Sequence, residues 1–450
     1  MVPDSDAVGV GIKERWNNRG WGVNRFRFLS HMAGTISAQV LPDELLLDIF
    51  LHSISDYGHI DDFLASIAAQ RLTLPFHTQF SSLDEWKRRT QTLLYLSRVS
   101  KSWFRVATPM LYEIIRIYRP TMVVTLIEAS IEAPVLLEHT KHLSFEIEYS
   151  EVALETDQSN PELSQAFMEL ASRCPNLCVV QNCCLEPDDD QRPNVFPSLR
   201  LYEGLLQPLV LSAQTTLQYL ILHDVGTPLS HSLHRLSFPL LNVLDLTGTD
   251  WIIPIILSWE MPTLSELRGC FSQQRVSSDV IVKAANTLRR LQIHVSNIDE
   301  SWNLSGTNTD PPIPLPHLSE VIIRIGDGVT VGLHPRFFTA FCSFDSLHSI
   351  TMNIPGNMKA FIMTLVACIR VFEGSAASQT PKPLTIRIGE ASLKPKMSEW
   401  SSLHQIITFQ NLLYHLIHRL NNYGATVLFA MPNGTYDTLH WFAFEYHNHH

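Results

Sequence analysis

The sequence predicts an α+β protein in which a short N-terminal helical region precedes a long, irregular α/β solenoid. Two observations support this fold class. Two segments near the N-terminus carry apolar residues at helical spacing, and a leucine-based strand pattern recurs through most of the remaining chain. A length of 450 residues is sufficient for one small domain joined to a long repeat array.

The composition argues against several functional classes. Lys and Arg total 33 and Asp and Glu total 44, and the resulting net charge of −11 is unsuited to binding nucleic acid or an anionic membrane. No apolar run approaches the roughly 18 residues that span a bilayer. The seven cysteines and the lack of a signal-peptide pattern lead us to expect free thiols and a cytoplasmic or nuclear location, or both.

The sequence pattern changes abruptly after the first 38 residues. Residues 1–38 lack apolar periodicity, so we expect a disordered tail. A helix is predicted to begin with Leu41–Phe50, where apolar side chains recur at four-residue steps. Pro42 suits the first helical position, and Asp43 and Glu44 bring negative charge to the first turn, where the helix dipole favours it.

A second helix is predicted from about Thr92 to Thr108, and we expect Pro109 to end it. Residues 52–90, between the two helical segments, are less regular. Apolar side chains of the second helix recur on one face at three- and four-residue steps, at Leu93, Leu96, Val99, Trp103 and Val106.

From about residue 120 the pattern Pro-x-Leu-x-x-Leu-x-Leu, or a close variant, recurs along the chain. Successive first leucines are 18 to 30 residues apart, near the period of about 20–29 residues of leucine-rich repeats. Helix-like stretches lie between copies, so we predict a stacked, leucine-rich-repeat-like solenoid. The first leucines of the copies are Leu177, Leu199, Leu217, Leu241, Leu264, Leu288, Leu318 and Leu347.

The two N-terminal segments together resemble the F-box. Leu41–Phe50 fits the family pattern Leu-Pro-x-Glu-Leu-Leu-x-x-Ile-Phe, and Leu96–Trp103 fits its second half, Leu-x-x-Val-Ser-Lys-x-Trp. The long segment between the halves departs from a compact F-box. The predicted domains are therefore a tail at 1–38, an F-box at 39–118 with an insertion at about 52–90, and a leucine-rich-repeat-like domain at 119–450.

The resemblance implies a substrate-recognition subunit of an SCF-type cullin–RING ubiquitin ligase. The F-box would bind the SCF adaptor and, through it, the cullin and RING subunits, while the repeat domain would bind a protein target. The chain itself would be non-catalytic and need no cofactor or metal. The alternative for any single residue is a place in the internal core of the helices. The predicted adaptor contacts are Leu41, Pro42, Leu45, Leu46, Ile49, Phe50, Leu96, Val99, Ser100 and Trp103.

Alternate residues of a strand face opposite ways, so residues between the core leucines should line the concave face of the solenoid. Their mixture of charges with an aromatic ring suits protein recognition. The alternative for each residue is an ordinary solvated sheet face. The predicted target contacts are His142, Glu146, Tyr219, His223, Asp245, Arg290, Gln292, His294, Glu320 and Arg324.

Two other functional classes stay open at this point. A repeat scaffold without a ligase role would bind a partner but not the adaptor. A hydrolase would require a polar pocket with perturbed titratable groups. The cluster of Cys174, Cys178, Cys183 and Cys184 lacks the paired CxxC spacing of a zinc site, so we expect buried thiols there.

Overall fold

The structure is a computed structural model, and every structural statement below concerns the residues that it describes. The predicted tail at 1–38, most of the predicted insertion, Glu146 and His223 lie outside these residues. The described residues are 41–54, 83–117, 121–145, 161–182, 210–222, 235–246, 253–270, 274–295, 315–325, 346–353, 362–363, 365–366, 368–370, 383–388, 403–430 and 436–437.

The described residues fall into two compact units. The helical unit comprises residues 41–54 and 83–108, and the sheet unit begins at Pro109. Residues 109–117 were assigned to the helical domain from sequence, but they include the first strand of the sheet, Ile114–Ile117, which pairs with the strand His142–Phe145. The boundary therefore precedes the one predicted at residue 118.

Three helices lead into the sheet: α1 (Asp43–Ser53), α2 (Leu83–Ser97) and α3 (Lys101–Glu113). The single helix predicted over residues 92–108 is thus two helices. Ser100 separates them, since its side-chain oxygen accepts a hydrogen bond from the backbone N–H of Trp103 at 3.3 Å and caps the start of α3. Pro42 occupies the position before α1, without a capping hydrogen bond from its side chain, instead of lying within the first turn.

The expectation that Pro109 ends the second helix was wrong. Pro109 lies inside α3, which continues to Glu113. A proline in a helix removes one backbone hydrogen bond. Ala107 and Met110 on either side are buried, so packing of the helix favours its continuation through that position.

The described strands form one twelve-stranded sheet in which each strand pairs with its successor in the chain. All pairs are parallel except the last, which is antiparallel. The strands are β1 (Ile114–Ile117), β2 (His142–Phe145), β3 (Val179–Asn182), β4 (Tyr219–Leu222), β5 (Val243–Leu246), β6 (Glu266–Cys270), β7 (Arg290–Val295), β8 (Glu320–Ile325), β9 (Ser349–Asn353), β10 (Leu384–Ile388), β11 (Ala425–Ala430) and β12 (Tyr436–Asp437).

Parallel neighbours require crossover connections, and several of these contain helices. The helices between strands include α4 (Thr121–Glu132), α5 (Pro161–Ser172), α6 (Ile253–Ile256), α7 (Gln274–Ala284) and α8 (Leu403–Asn422). A 3₁₀ helix (Pro134–His139) follows α4 in the connection between β1 and β2.

The leucine pattern marks where strands begin. Seven of the eight first leucines are described, each is buried, and each lies two residues before a strand. The copy at Leu199 lies outside the described residues, and β3 pairs directly with β4. One face of the sheet packs on the helices through a continuous apolar core that includes Leu220, Leu244 and Leu291.

Hydroxyl groups connect successive strand segments. In four segments the residue before the first leucine is Thr or Ser, and its hydroxyl donates to the backbone carbonyl of an earlier first leucine. The bonds run from Thr216 to Leu177, from Thr263 to Leu241, from Thr287 to Leu264 and from Ser346 to Leu318, at 2.6 to 3.1 Å. Such bonds provide hydrogen-bond donors for backbone carbonyls just before the strands.

Candidate functional site

The helical unit has a small core around Phe50. The Phe50 and Trp103 rings meet edge to face with centroids 5.2 Å apart, which packs α1 against α3. The Arg105 guanidinium also donates to the Asp43 carboxylate at 2.7 Å. Leu46, Leu93 and Leu96 are buried with Phe50. The sequence places these helices together because their apolar residues recur on one face of each.

The same unit leaves large apolar side chains in solvent. Leu45 on α1 is 50% exposed, Val99 in the turn before α3 is 54% exposed, and Phe104 on α3 is 55% exposed. Leu94 and Tyr95 of α2 are also exposed. Such residues contribute little to the core of the unit, so they are available to a binding partner.

The predicted adaptor contacts divide into two groups. Three of them, Leu46, Phe50 and Leu96, are buried, and their side chains fill the core of the unit, which is the alternative that the sequence left open for any single residue. The accessible residues are exposed Pro42, Leu45, Val99 and Ser100, and partly exposed Leu41, Ile49 and Trp103.

Sequence reasoning missed Phe104. This residue follows Trp103 directly and lies off the predicted apolar face, and the F-box pattern ends one position before it. The sequence nonetheless contains a signal for Phe104. Core residues lie on the apolar side of an amphipathic helix, so a large aromatic residue on its polar side indicates a surface role.

The second candidate region is the face of the sheet opposite the leucine core. Strand register aligns its side chains in rows, and one row runs through Tyr219, Val243, Glu266, Arg290 and Glu320. The neighbouring row aligns Asp245, Arg268 and Gln292. Charged residues of opposite sign therefore stand beside each other on adjacent strands.

These charges form a connected network. The Glu266 carboxylate accepts hydrogen bonds from Arg268 Nε at 2.5 Å and from Arg290 Nη1 at 3.1 Å. Arg290 Nε donates to the Glu320 carboxylate at 2.7 Å, and Arg387 Nη1 donates to the same carboxylate at 3.3 Å. We call Glu266, Arg268, Arg290, Glu320 and Arg387 the charge ladder.

Arg268 joins the ladder to the neighbouring strands. Its Nη1 donates to the Tyr219 hydroxyl at 2.8 Å, and its guanidinium lies 5.5 Å from the centre of the Tyr219 ring. Burial disfavours the charge of Arg268. Even so, the carboxylate of Glu266, the Tyr219 hydroxyl and the carboxylate of Asp245 together raise its pKa above the ordinary value.

The predicted target contacts on this face are not solvent-exposed. His142, Tyr219, Asp245, Arg290, Gln292 and Glu320 all lie on the side away from the leucines, as alternation predicted. Nevertheless all six are buried. The expectation of an open surface at these positions was wrong, because their polar groups are enclosed and several are paired with each other. His294 and Arg324 occupy paired positions on β7 and β8.

The ladder includes residues that sequence reasoning missed. Glu266, Arg268 and Arg387 carry charge at the same alternating strand positions as the residues that were predicted. The same two-residue alternation, applied to the strand that follows Leu264 and to the strand that ends at Ile388, would have identified all three residues.

A cavity of about 330 Å³ in the sheet unit is lined by Glu260, Met261, Pro262, Leu264, Lys283 and Ala284. The Lys283 ammonium donates to the Leu257 carbonyl at 2.5 Å. The ionisable side chains of this lining are Glu260 and Lys283.

The cysteine cluster has one clearly buried member in the described chain. Cys174 is buried and Cys178 is half-buried, while Cys183 and Cys184 lie outside the described residues. Burial raises the pKa of the Cys174 thiol to about 12, against a smaller opposing effect of a hydrogen bond with Thr140. A neutral thiol is a poor metal ligand. Across the residues with described placement, no group of three His, Cys, Asp or Glu side chains is arranged to hold a metal ion.

Comparison with models of known protein families gives no match, and comparison with curated proteins finds no significant relative. Within the described part of the chain, no helix combines the length and the apolar character that crossing a bilayer requires.

Proposed function

We propose that this chain is an F-box protein with a leucine-rich-repeat-like solenoid, and that it acts as a substrate-recognition subunit of an SCF-type ubiquitin ligase. The helical unit binds the SCF adaptor, which connects the chain to the cullin and RING subunits. The sheet unit binds a protein target. The chain performs no catalytic step in this proposal.

The observation that carries the proposal is the exposure of motif residues in the helical unit. Pro42 and Leu45 belong to the first half of the F-box pattern and Val99 to the second, and all three are exposed. The Phe50–Trp103 contact holds α1 beside α3, so both halves of the motif belong to one packed unit. An apolar surface of this kind suits a helix of a partner protein.

The sheet unit is consistent with a repeat array. Its strands follow chain order, are parallel from β1 to β11, and begin two residues after a buried leucine in seven places. Each strand therefore contacts mainly its neighbours in sequence, which is the arrangement of a solenoid. Repeat arrays commonly provide extended surfaces for protein partners.

Co-purification of the full chain with the SCF adaptor tests the proposal. The test variant carries Leu45→Asp and Val99→Asp, both at exposed motif positions. The matched control carries Leu47→Asp and Leu94→Asp, which are also exposed but occupy positions that the motif leaves unspecified. We expect the wild-type chain and the control to retain the adaptor and the test variant to lose it.

Two outcomes would contradict the proposal. A folded wild-type chain that retains no adaptor would favour the scaffold without a ligase role. Equal loss in both variants would mean that general surface apolarity, and not the motif, determines binding. Circular dichroism of all three chains establishes that each variant stays folded.

A further inference from the structure

The outer surface of α4 and the following 3₁₀ helix is apolar at three positions. Ile131 is 62% exposed, and Val124 and Val135 are each about half exposed. Val124 and Ile131 are seven residues apart, so they lie on one face of α4, roughly 10 Å apart along its axis. A neighbouring face of α4 contributes Val123 and Ile127 to the core of the sheet unit. Val124 and Ile131 are not members of that core.

The same surface is acidic. Glu128, Glu132 and Glu138 are exposed, and no Lys or Arg occurs between residues 121 and 140. None of these three carboxylates forms an ion pair with another described residue. Glu128 and Glu132 follow Val124 at helical spacing and lie along one flank of its face. We call these six side chains the α4 surface.

We propose that the α4 surface binds a basic amphipathic helix of another protein. Apolar side chains of that helix cover Val124, Ile131 and Val135, and Lys or Arg residues along one flank pair with the glutamates. The glutamates indicate the charge of the partner, since an acidic rim attracts a basic helix and repels an acidic one. This inference does not depend on adaptor binding by the helical unit.

A synthetic helical peptide serves as the probe. It carries Leu at seven-residue and four-residue steps, with Lys along one flank, and a control peptide carries Glu in place of Lys. Fluorescence anisotropy of the labelled peptides with the full chain measures binding. We expect the Lys peptide to bind and the Glu peptide to bind at least about tenfold more weakly.

One pair of variants tests the apolar contacts. Ile131→Ser should weaken binding of the Lys peptide by about tenfold. Val282→Ser, at an equally apolar and exposed position on α7, should leave binding unchanged. Both positions face solvent, so neither change is expected to disturb the fold, and circular dichroism verifies this.

A second pair of variants tests the charges, with the same change in net charge in both variants. Glu128→Lys with Glu132→Lys should weaken binding of the Lys peptide by at least about tenfold. Glu260→Lys with Asp279→Lys makes the same change in net charge at exposed sites elsewhere in the sheet unit and should have little effect. Failure of the Lys peptide to bind the wild-type chain would overturn the proposal. Equal weakening by both pairs would also overturn it, because attraction to an acidic chain would then account for binding.

Discussion

The helices of the helical unit and the strands of the sheet unit treat two residue types differently. The helices expose the apolar side chains of Leu45, Val99 and Phe104 to solvent, whereas the strands bury every member of the charge ladder except the partly exposed Arg387. Large exposed apolar side chains indicate a surface that a partner covers. Buried charges indicate the reverse, because they are tolerated only when they are paired within the protein. Residue type therefore identifies a binding surface only when it is combined with burial.

The largest expected effect comes from the charge ladder. Arg290→Met removes the cation that joins Glu266 to Glu320, and a buried carboxylate that loses its partner is costly. We expect a loss of about 3–5 kcal/mol in the free energy of unfolding, measured by urea denaturation followed by circular dichroism. A loss below about 1 kcal/mol would show that the ladder is solvated, and the contrast between the units would disappear.

A double variant sharpens this prediction. Arg290→Met with Glu320→Gln removes both partners, while Glu266 keeps Arg268 and the partly exposed Arg387 can be solvated. The double variant should therefore be less destabilised than the sum of its single variants. Additive losses would mean that Arg290 and Glu320 do not act as a pair.

A smaller effect is expected within α3, where two adjacent aromatic residues have opposite roles. Trp103→Ala should reduce the free energy of unfolding by about 2–3 kcal/mol, because its half-buried ring packs against Phe50. Phe104→Ala should change it by less than about 0.5 kcal/mol, because its ring is exposed. The measurement is again urea denaturation, and equal effects of the two substitutions would contradict the assignment of core and surface on this helix.

The smallest effect concerns the hydroxyl bonds between strand segments. Thr287→Val removes the hydrogen bond to the Leu264 carbonyl at nearly constant volume, and we expect a loss of about 1 kcal/mol. Thr125→Val on exposed α4 is the matched control, since the Thr125 hydroxyl bonds only within its own helix. Thermal unfolding should separate the two variants, and a Thr287 variant as stable as the control would mean that water replaces the bond.

Regular spacing made much of the sheet predictable. A buried leucine lies two residues before each of seven strands, because each of these strands has one apolar face to bury. The break at Ser100 was missed because the apolar spacing continues across it, although the cap itself is a local hydrogen bond from the Trp103 N–H. Pro109 was misjudged because packing of the buried residues around it favours continuation of α3.

The candidate sites were predicted less completely than the fold. Alternation placed Asp245, Arg290 and Glu320 on the correct face of the sheet, but burial depends on the tertiary structure and was not visible in the sequence. The F-box pattern likewise contains core and surface positions without distinguishing them. Leu46 and Leu45 are neighbours in the motif, yet one is buried and the other exposed.

Hydrogen exchange of the full chain, with and without the SCF adaptor, locates the binding surface. If the helical unit binds the adaptor, amide exchange becomes slower in peptides that cover α1 and the turn from Arg98 to Ser100, with little change in β7 and β8. Unchanged exchange throughout the chain at saturating adaptor, or protection confined to the strands of the sheet unit, would contradict the proposed role of the helical unit.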